Sequence, residues 1–192
     1  MRALRVRIRA HALRARSWAH ALSSLAAAAL LLATAAPALA GIPPAYAPVV
    51  VEPTVVDGRS EFDLGPALAR AKREHKRLYV YLGASDCPYC RRYENFLKHY
   101  SGDLVAPFKP WIVVDLRSTL ATTASKLVLR VGDRALDYTA FQFSIGDQRT
   151  RMLVYPSVWL FDSELKPLMQ MPAGTGTFET VDEQLEILNL VQ

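Results

Sequence analysis

Only two cysteines and four histidines occur in the 192 residues. A structural zinc site draws on four such ligands, and no histidine lies in a second ligand pair beside the cysteines. Covalent haem attachment needs a histidine after the second cysteine, and Arg91 stands there. Acidic residues are missing from the first 40 positions, which carry six arginines (Arg2, Arg5, Arg7, Arg9, Arg14 and Arg16). Of 23 basic and 18 acidic side chains in the chain, residues 41–192 therefore keep 17 basic and 18 acidic, a net charge of −1. The formal +5 belongs to the leader, so a basic nucleic-acid-binding body is missing and nucleic acid is not expected as a partner. Beyond residue 40 no run is long and apolar enough to span a bilayer. The whole chain is 51% hydrophobic and 21% charged, a globular composition with room for one buried core.

The leader has three parts in order. Met1 to Ser17 is arginine-rich, Leu22 to Leu32 is apolar, and Pro37-Ala38-Leu39-Ala40 places small residues at 38 and 40. This pattern predicts a secretory signal peptide cut after Ala40. No arginine pair points to twin-arginine export, and no cysteine follows the cut to take a lipid. The expected product, Gly41–Gln192, is periplasmic or secreted, without a stable membrane anchor. Residues 41–60 carry Pro43, Pro44, Pro48 and Pro53 and read as an extended arm, with Val49-Val50-Val51 and Val55-Val56 able to add a short strand. Residues 61–192 form the expected domain.

Within it, Asp63 suits a helix cap and Pro66 a first turn, with Leu64, Leu68 and Ala71 on one helical face. Arg77-Leu78-Tyr79-Val80-Tyr81-Leu82 and Trp111-Ile112-Val113-Val114-Asp115-Leu116 read as buried strands. Residues 117–151 are the least legible part. A strand over 126–131 with a turn at Gly132-Asp133 is expected there, then helix or strand over 135–144. Ser157 to Phe161 and Leu165 to Met171 predict a hairpin around Asp162-Ser163-Glu164, with Pro167 placing the second strand at an edge. Gly174-Thr175-Gly176 reads as a loop. Thr180 and Glu183 have capping-box spacing before a last helix with Val181, Leu185 and Leu188 inward. Strands alternating with helices and then a hairpin indicate a mixed α/β sheet.

The cysteines form one unit, Cys87-Pro88-Tyr89-Cys90, after a strand and at the start of a helix. A disulfide closing so short a loop gains little unfolded-state entropy, which favours reversible chemistry over a structural bridge or a metal site. The free amides and dipole of a helix N-terminus favour the thiolate of Cys87, the candidate attacking nucleophile, expected to be partly exposed. Cys90, one turn on and more buried, is the candidate resolving thiol. Pro88 fits the first helical position, where its missing N–H is not needed. Tyr89 flanks the attack site. Asp86 either caps the helix or opposes the thiolate by its charge.

With these residues in view, the chain resembles the thioredoxin-like superfamily. The resemblance is carried by the helix, strand and Cys87-Pro88-Tyr89-Cys90 of residues 62–97, and by Tyr155-Pro156 before Ser157-Val158-Trp159-Leu160-Phe161. Its Cys-Pro-Tyr-Cys is also seen in glutaredoxins and in some periplasmic Dsb-type proteins, whereas the Trp-Cys-Gly-Pro-Cys of thioredoxins proper is missing. The resemblance implies a central mixed β-sheet flanked by helices, with residues 117–151 inserted before a cis-proline strand. It implies that Pro156 is cis, that Tyr155 lends backbone to the substrate chain, and that Pro88 and Tyr89 border it. The buried acid that thioredoxin carries in the strand before the motif aligns near Tyr81.

The expected function is disulfide exchange with protein substrates by a mixed disulfide on Cys87, by a monomeric, reductase-type enzyme. It needs no cofactor or metal but does need a redox partner to donate or accept electrons. The rivals are a Dsb-like oxidant or isomerase, and a binding or chaperone module whose disulfide is structural. The remaining candidates read mostly as ordinary structure. His75 and His99 lie near helix ends, Trp111 and Trp159 in the core, and Met169 and Met171 in a strand, while Arg91 and Arg92 either form a solvated helix face or add positive potential near the thiolate.

Overall fold

The computed structural model describes residues 41–146, 152–170 and 180–190. The leader, residues 147–151 and the loop at 174–176 lie outside the described residues, as does Met171. Nine strands and five α-helices are described, preceded by a short 3-10 turn at Pro44–Tyr46. In chain order they are β1 (Val49–Val51), β2 (Thr54–Val56), β3 (Arg59–Asp63), α1 (Gly65–Glu74), β4 (Arg77–Ala84) and α2 (Pro88–His99). Then come α3 (Ser101–Leu104), β5 (Trp111–Ser118), β6 (Leu127–Val131), β7 (Arg134–Asp137), α4 (Tyr138–Ser144), β8 (Ser157–Phe161), β9 (Pro167–Gln170) and α5 (Val181–Leu190). Among the described residues no helix is long and apolar enough to cross a membrane.

The main sheet has the order β1-β5-β4-β8-β9. β1, β5 and β4 run parallel, β8 pairs antiparallel with β4, and β9 pairs antiparallel with β8. β4 is central and buried on both faces, so its sequence is an unbroken apolar and aromatic run rather than an alternation. The period of two still sorts its side chains. Leu78, Val80 and Leu82 meet α1 and α4 on one face; Tyr79 and Tyr81 meet α2, α3 and α5 on the other. The edge place expected for Pro167 is the place it has: β9 is the outer strand and does not need the missing N–H on its free side.

The second sheet, β2-β3-β6-β7, comes from two stretches that read separately in the sequence. β3 pairs parallel with β6, from Ser60↔Leu127 to Asp63↔Arg130, and Arg130 forms an ion pair with Glu61 across that register. Leu127 and Leu129 enter the same buried cluster as Phe62, Val80 and Trp159. The segment 117–151 therefore contributes a hairpin and a helix to the core through residues 127–144. Residues 135–144 are strand and then helix: Asp137 ends β7 and caps α4, its Oδ1 accepting from the Ala140 N–H at 2.8 Å.

Four expectations are altered. The Pro-rich stretch at 41–60 is not only an arm: Ile42 and Tyr46 are buried, β1 joins the edge of the main sheet, and β2 with the start of β3 builds the second. Val49–Val51 and Thr54–Val56 lie in different sheets because Pro53 separates them, with no N–H to continue one ladder. β3 was not expected at all, since its Arg-Ser-Glu-Phe-Asp is polar apart from Phe62. The cap residue of α1 is Leu64, and Asp63 instead ends β3, its Oδ1 accepting the Gly65 N–H at 2.8 Å. The capping box of α5 is present: the Thr180 N–H donates to Glu183 Oε2 at 3.1 Å, and the Glu183 N–H to Thr180 Oγ1 at 3.3 Å.

Candidate active site

β4 delivers the chain to the site. It is paired on both sides, and the chain leaves it through a turn at Ser85 and Asp86 into Cys87. Cys87 is the cap residue of α2, with extended backbone (φ −92°, ψ 118°), and Pro88 takes the first helical position. The Cys90 N–H donates to Cys87 Sγ at 3.2 Å, so a sulfur occupies the place usually held by a serine or aspartate oxygen. The Ala84 N–H donates to Cys90 Sγ at 3.4 Å. Both cysteines are free thiols. The Tyr155–Pro156 peptide is cis, and the Cys87 thiol donates to the Tyr155 carbonyl at 3.8 Å. Residues 68 positions apart in sequence thus share one contact. Tyr155 is itself held by the Ser118 hydroxyl, which lies 2.8 Å from its phenol at the end of β5. Burial pushes the Tyr155 phenol up to about 12.

Cys87 was expected to be partly exposed and is buried, only 2% accessible. The reason is the packing of Tyr155 over Ala84, Cys87 and Cys90. Cys90 is fully buried as expected. Burial, and then the neighbouring Cys87 sulfur, push its thiol up to about 12. Such a thiol is inert near neutral pH unless a base takes its proton. Tyr89 is exposed. Asp86 does not cap the helix: its Oδ1 accepts from the Leu120 N–H at 2.8 Å and fixes the loop after β5 beside the motif. The Arg91 guanidinium reaches the Ser85 carbonyl at 3.2 Å.

A polar cluster behind the motif was not recognised in the sequence. Tyr81 lies in β4, and its hydroxyl donates to Glu94 Oε1 at 3.0 Å. Tyr81 also interacts directly with Cys90. Glu94 is four residues after Cys90, so both project from one face of α2. That spacing was the available signal: an acid one turn beyond the second cysteine. Desolvation raises Tyr81 far above an ordinary phenol, as does the negative charge of Cys90 and Glu94. The hydroxyl therefore stays protonated and can hand a proton along without becoming a phenolate.

A second buried acid, Asp115, lies in β5 at the position paired with Tyr81. Its Oδ2 accepts from the Ile42 N–H at 3.1 Å and from Arg117 Nε at 3.2 Å. Burial pushes its carboxyl up to about 6, against the opposing pull of Arg117 and the Ile42 N–H. The sequence signal was an aspartate inside Trp-Ile-Val-Val-Asp-Leu, where both strand faces are covered. Among the described residues no group of three or more His, Cys, Asp or Glu is arranged to hold a metal ion.

No protein-family model matches the chain, and no curated protein matches it. Among solved structures it is similar to a thioredoxin-fold protein from Helicobacter pylori. The likeness has 18% identity, covers 62% of this chain and 70% of that one, and has a TM-score of 0.41.

Proposed function

We propose that residues 41–192 are an exported, thioredoxin-like thiol:disulfide oxidoreductase acting on protein substrates. In this reading it is a reductase-type enzyme, recharged by an electron-donating partner. One observation carries the reading: the Cys87 thiol sits at a helix N-terminus, takes the Cys90 amide, and faces the carbonyl before a cis-proline. The Cys90 N–H donates to that sulfur at the start of the helix. The leader supports export.

The exchange runs in two steps. The Cys87 thiolate attacks one sulfur of a substrate disulfide, forming a Cys87–substrate bond and releasing the other sulfur as a thiolate. Cys90 then gives its proton to Glu94 through the Tyr81 hydroxyl and attacks Cys87 Sγ. The Cys87–substrate bond breaks and the second substrate thiolate leaves. Two electrons pass to the substrate, and the cysteines end as a disulfide for the partner to reduce. Pro156 and the Tyr155 backbone border an extended substrate chain. Exposed Tyr89 and Leu120 flank the motif and supply apolar contact to a protein rather than to a small thiol.

A second reading, a Dsb-like oxidant or isomerase, draws support from the same Cys90 amide, because stabilising the reduced form raises oxidising power. The test of the proposal is trapping. Cys90→Ser, offered a disulfide-bonded model protein, should accumulate a mixed disulfide on Cys87, and Cys87→Ser should give none. No adduct on either variant would favour a binding module with a structural bridge and sink the enzyme reading.

A further inference from the structure

We infer that cutting the leader after Ala40 creates an internal ligand: the new α-ammonium of Gly41 docks on the buried carboxylate of Asp115. This rests on the export reading for the cut, and not on the cysteine chemistry.

Asp115 is fully buried. A carboxylate taken out of water needs hydrogen bonds on both oxygens and a paired positive charge. Only half of that is met. Oδ2 has Ile42 and Arg117, whereas among the described residues Oδ1 has no partner. Arg117 is shared, its Nη1 lying 3.5 Å from Glu52. Glu94, from α2, adds a second negative group facing Asp115. One guanidinium thus serves two carboxylates, with the Glu94 charge added nearby, and a positive charge is wanting. Lys98 lines the cleft that Gly41 and Glu94 also line, but its ammonium makes no ion pair with Asp115 among the described residues.

Gly41 is where that charge would appear. A Cβ at this residue would fall 2.4 Å from Asp115 Oδ2 and 2.9 Å from Arg117 Nη2. Its backbone therefore lies directly against the carboxylate, closer than any side chain permits. Its φ of 130° is one that L-residues rarely adopt, so glycine is required here for two reasons. Before the cut, the Gly41 nitrogen is a neutral amide with one proton to give. Afterwards it is an ammonium with three donors, on the residue whose Cβ position falls against Asp115 and next to the Ile42 N–H that binds it. The next N–H along, that of Ile42, is already bound to the same carboxylate, which holds the terminus in place. Hydrolysis of the Ala40–Gly41 peptide takes one water and yields the Ala40 carboxylate and the Gly41 ammonium, so the charge comes from the cut itself.

The test compares two chains, residues 41–192 and residues 40–192; the latter stretch forms one compact unit. At pH 7 the chain starting at Gly41 should melt about 5 °C higher than the chain keeping Ala40. The gap should close near pH 4, where Asp115 is protonated. Acetic anhydride should modify the Gly41 amine roughly tenfold more slowly than the Ala40 amine, the ratio that a paired ammonium gives for about 1.4 kcal/mol. Equal melting temperatures with equal reactivities would overturn the inference. The full chain, exported from a bacterial host, should have Gly41 as its first residue by mass, and any other start would also overturn it. None of these readouts uses disulfide exchange, so this inference and the redox reading can fail separately.

Discussion

The Tyr81 hydroxyl donates at 3.0 Å to Glu94, a carboxylate one helical turn beyond Cys90, and the same hydroxyl contacts Cys90. The chain places a phenol on its central strand and a carboxylate on the cysteine helix, joined by one hydrogen bond. In the proposed exchange the Cys90 thiol, pushed up to about 12 by burial and its neighbour, has a route for its proton.

Glu94→Gln should therefore leave the first attack by Cys87 near its normal rate and slow the release of the mixed disulfide by about 10²-fold. Glu94→Asp should recover part of the loss. Stopped-flow kinetics on a single turnover separate the two steps. Equal slowing of both would show that Glu94 acts on general packing.

Tyr81→Phe removes the link and leaves the Glu94 carboxylate facing an apolar ring. It should cost about 1–3 kcal/mol of stability in urea unfolding, because a buried acceptor loses its donor. Release of the mixed disulfide should slow as in Glu94→Gln. A variant with normal release kinetics would remove Tyr81 from the proton route.

Asp115 sets a pH dependence whose sign is fixed. Its folded carboxyl is raised to about 6 from an ordinary value of 3.8. The folded state thus holds the proton more tightly than the unfolded chain does. This contribution to stability is complete below about pH 4 and is lost as pH rises through about 6. In the chain that keeps residue 40, Asp115→Asn should flatten that part of the stability profile, measured by urea unfolding from pH 4 to pH 7. A slope unchanged by the substitution would place its source elsewhere.

Phe141, on α4, meets the Trp159 ring edge-on at 5.6 Å, and both are buried. Phe141→Ala should cost about 3–5 kcal/mol if the segment around it belongs to the main core. Calorimetry should still show one transition at a lower temperature. Two transitions, or an unchanged midpoint, would mean that β6, β7 and α4 melt separately.

Gly41→Ala should destabilise the domain by about 1–3 kcal/mol, since the methyl group would meet Asp115 Oδ2 in a backbone conformation strained for alanine. Gly58, also at positive φ (72°) but with open space at its Cβ, should respond less to the same change. Thermal melts of the two variants make the comparison, and a larger effect at Gly58 would refute the packing argument.

The parts of this fold with local causes were legible in the sequence. β4 and β5 announce themselves by apolar length, α2 by Cys87 and Pro88 at its start, α5 by Thr180 and Glu183, and the edge place of β9 by Pro167. The cysteine pair was legible for the same reason, since four adjacent residues carry it. Features resting on pairing between distant segments were not. β3 is mostly polar, and only its register against β6 makes it a strand. The burial of Cys87 depends on Tyr155, which the chain brings back from 68 residues away. Asp115 reads as one unremarkable acid until Gly41 is seen against it.

The most direct test of the exchange reading is the reduction potential of the Cys87–Cys90 pair, measured on residues 41–192 in glutathione or dithiothreitol buffers. The fluorescence of Trp111 and Trp159 provides a readout. The account predicts a value of about −270 to −200 mV with ready exchange. A value below about −300 mV, with no exchange with a protein disulfide, would make the bridge structural and contradict it.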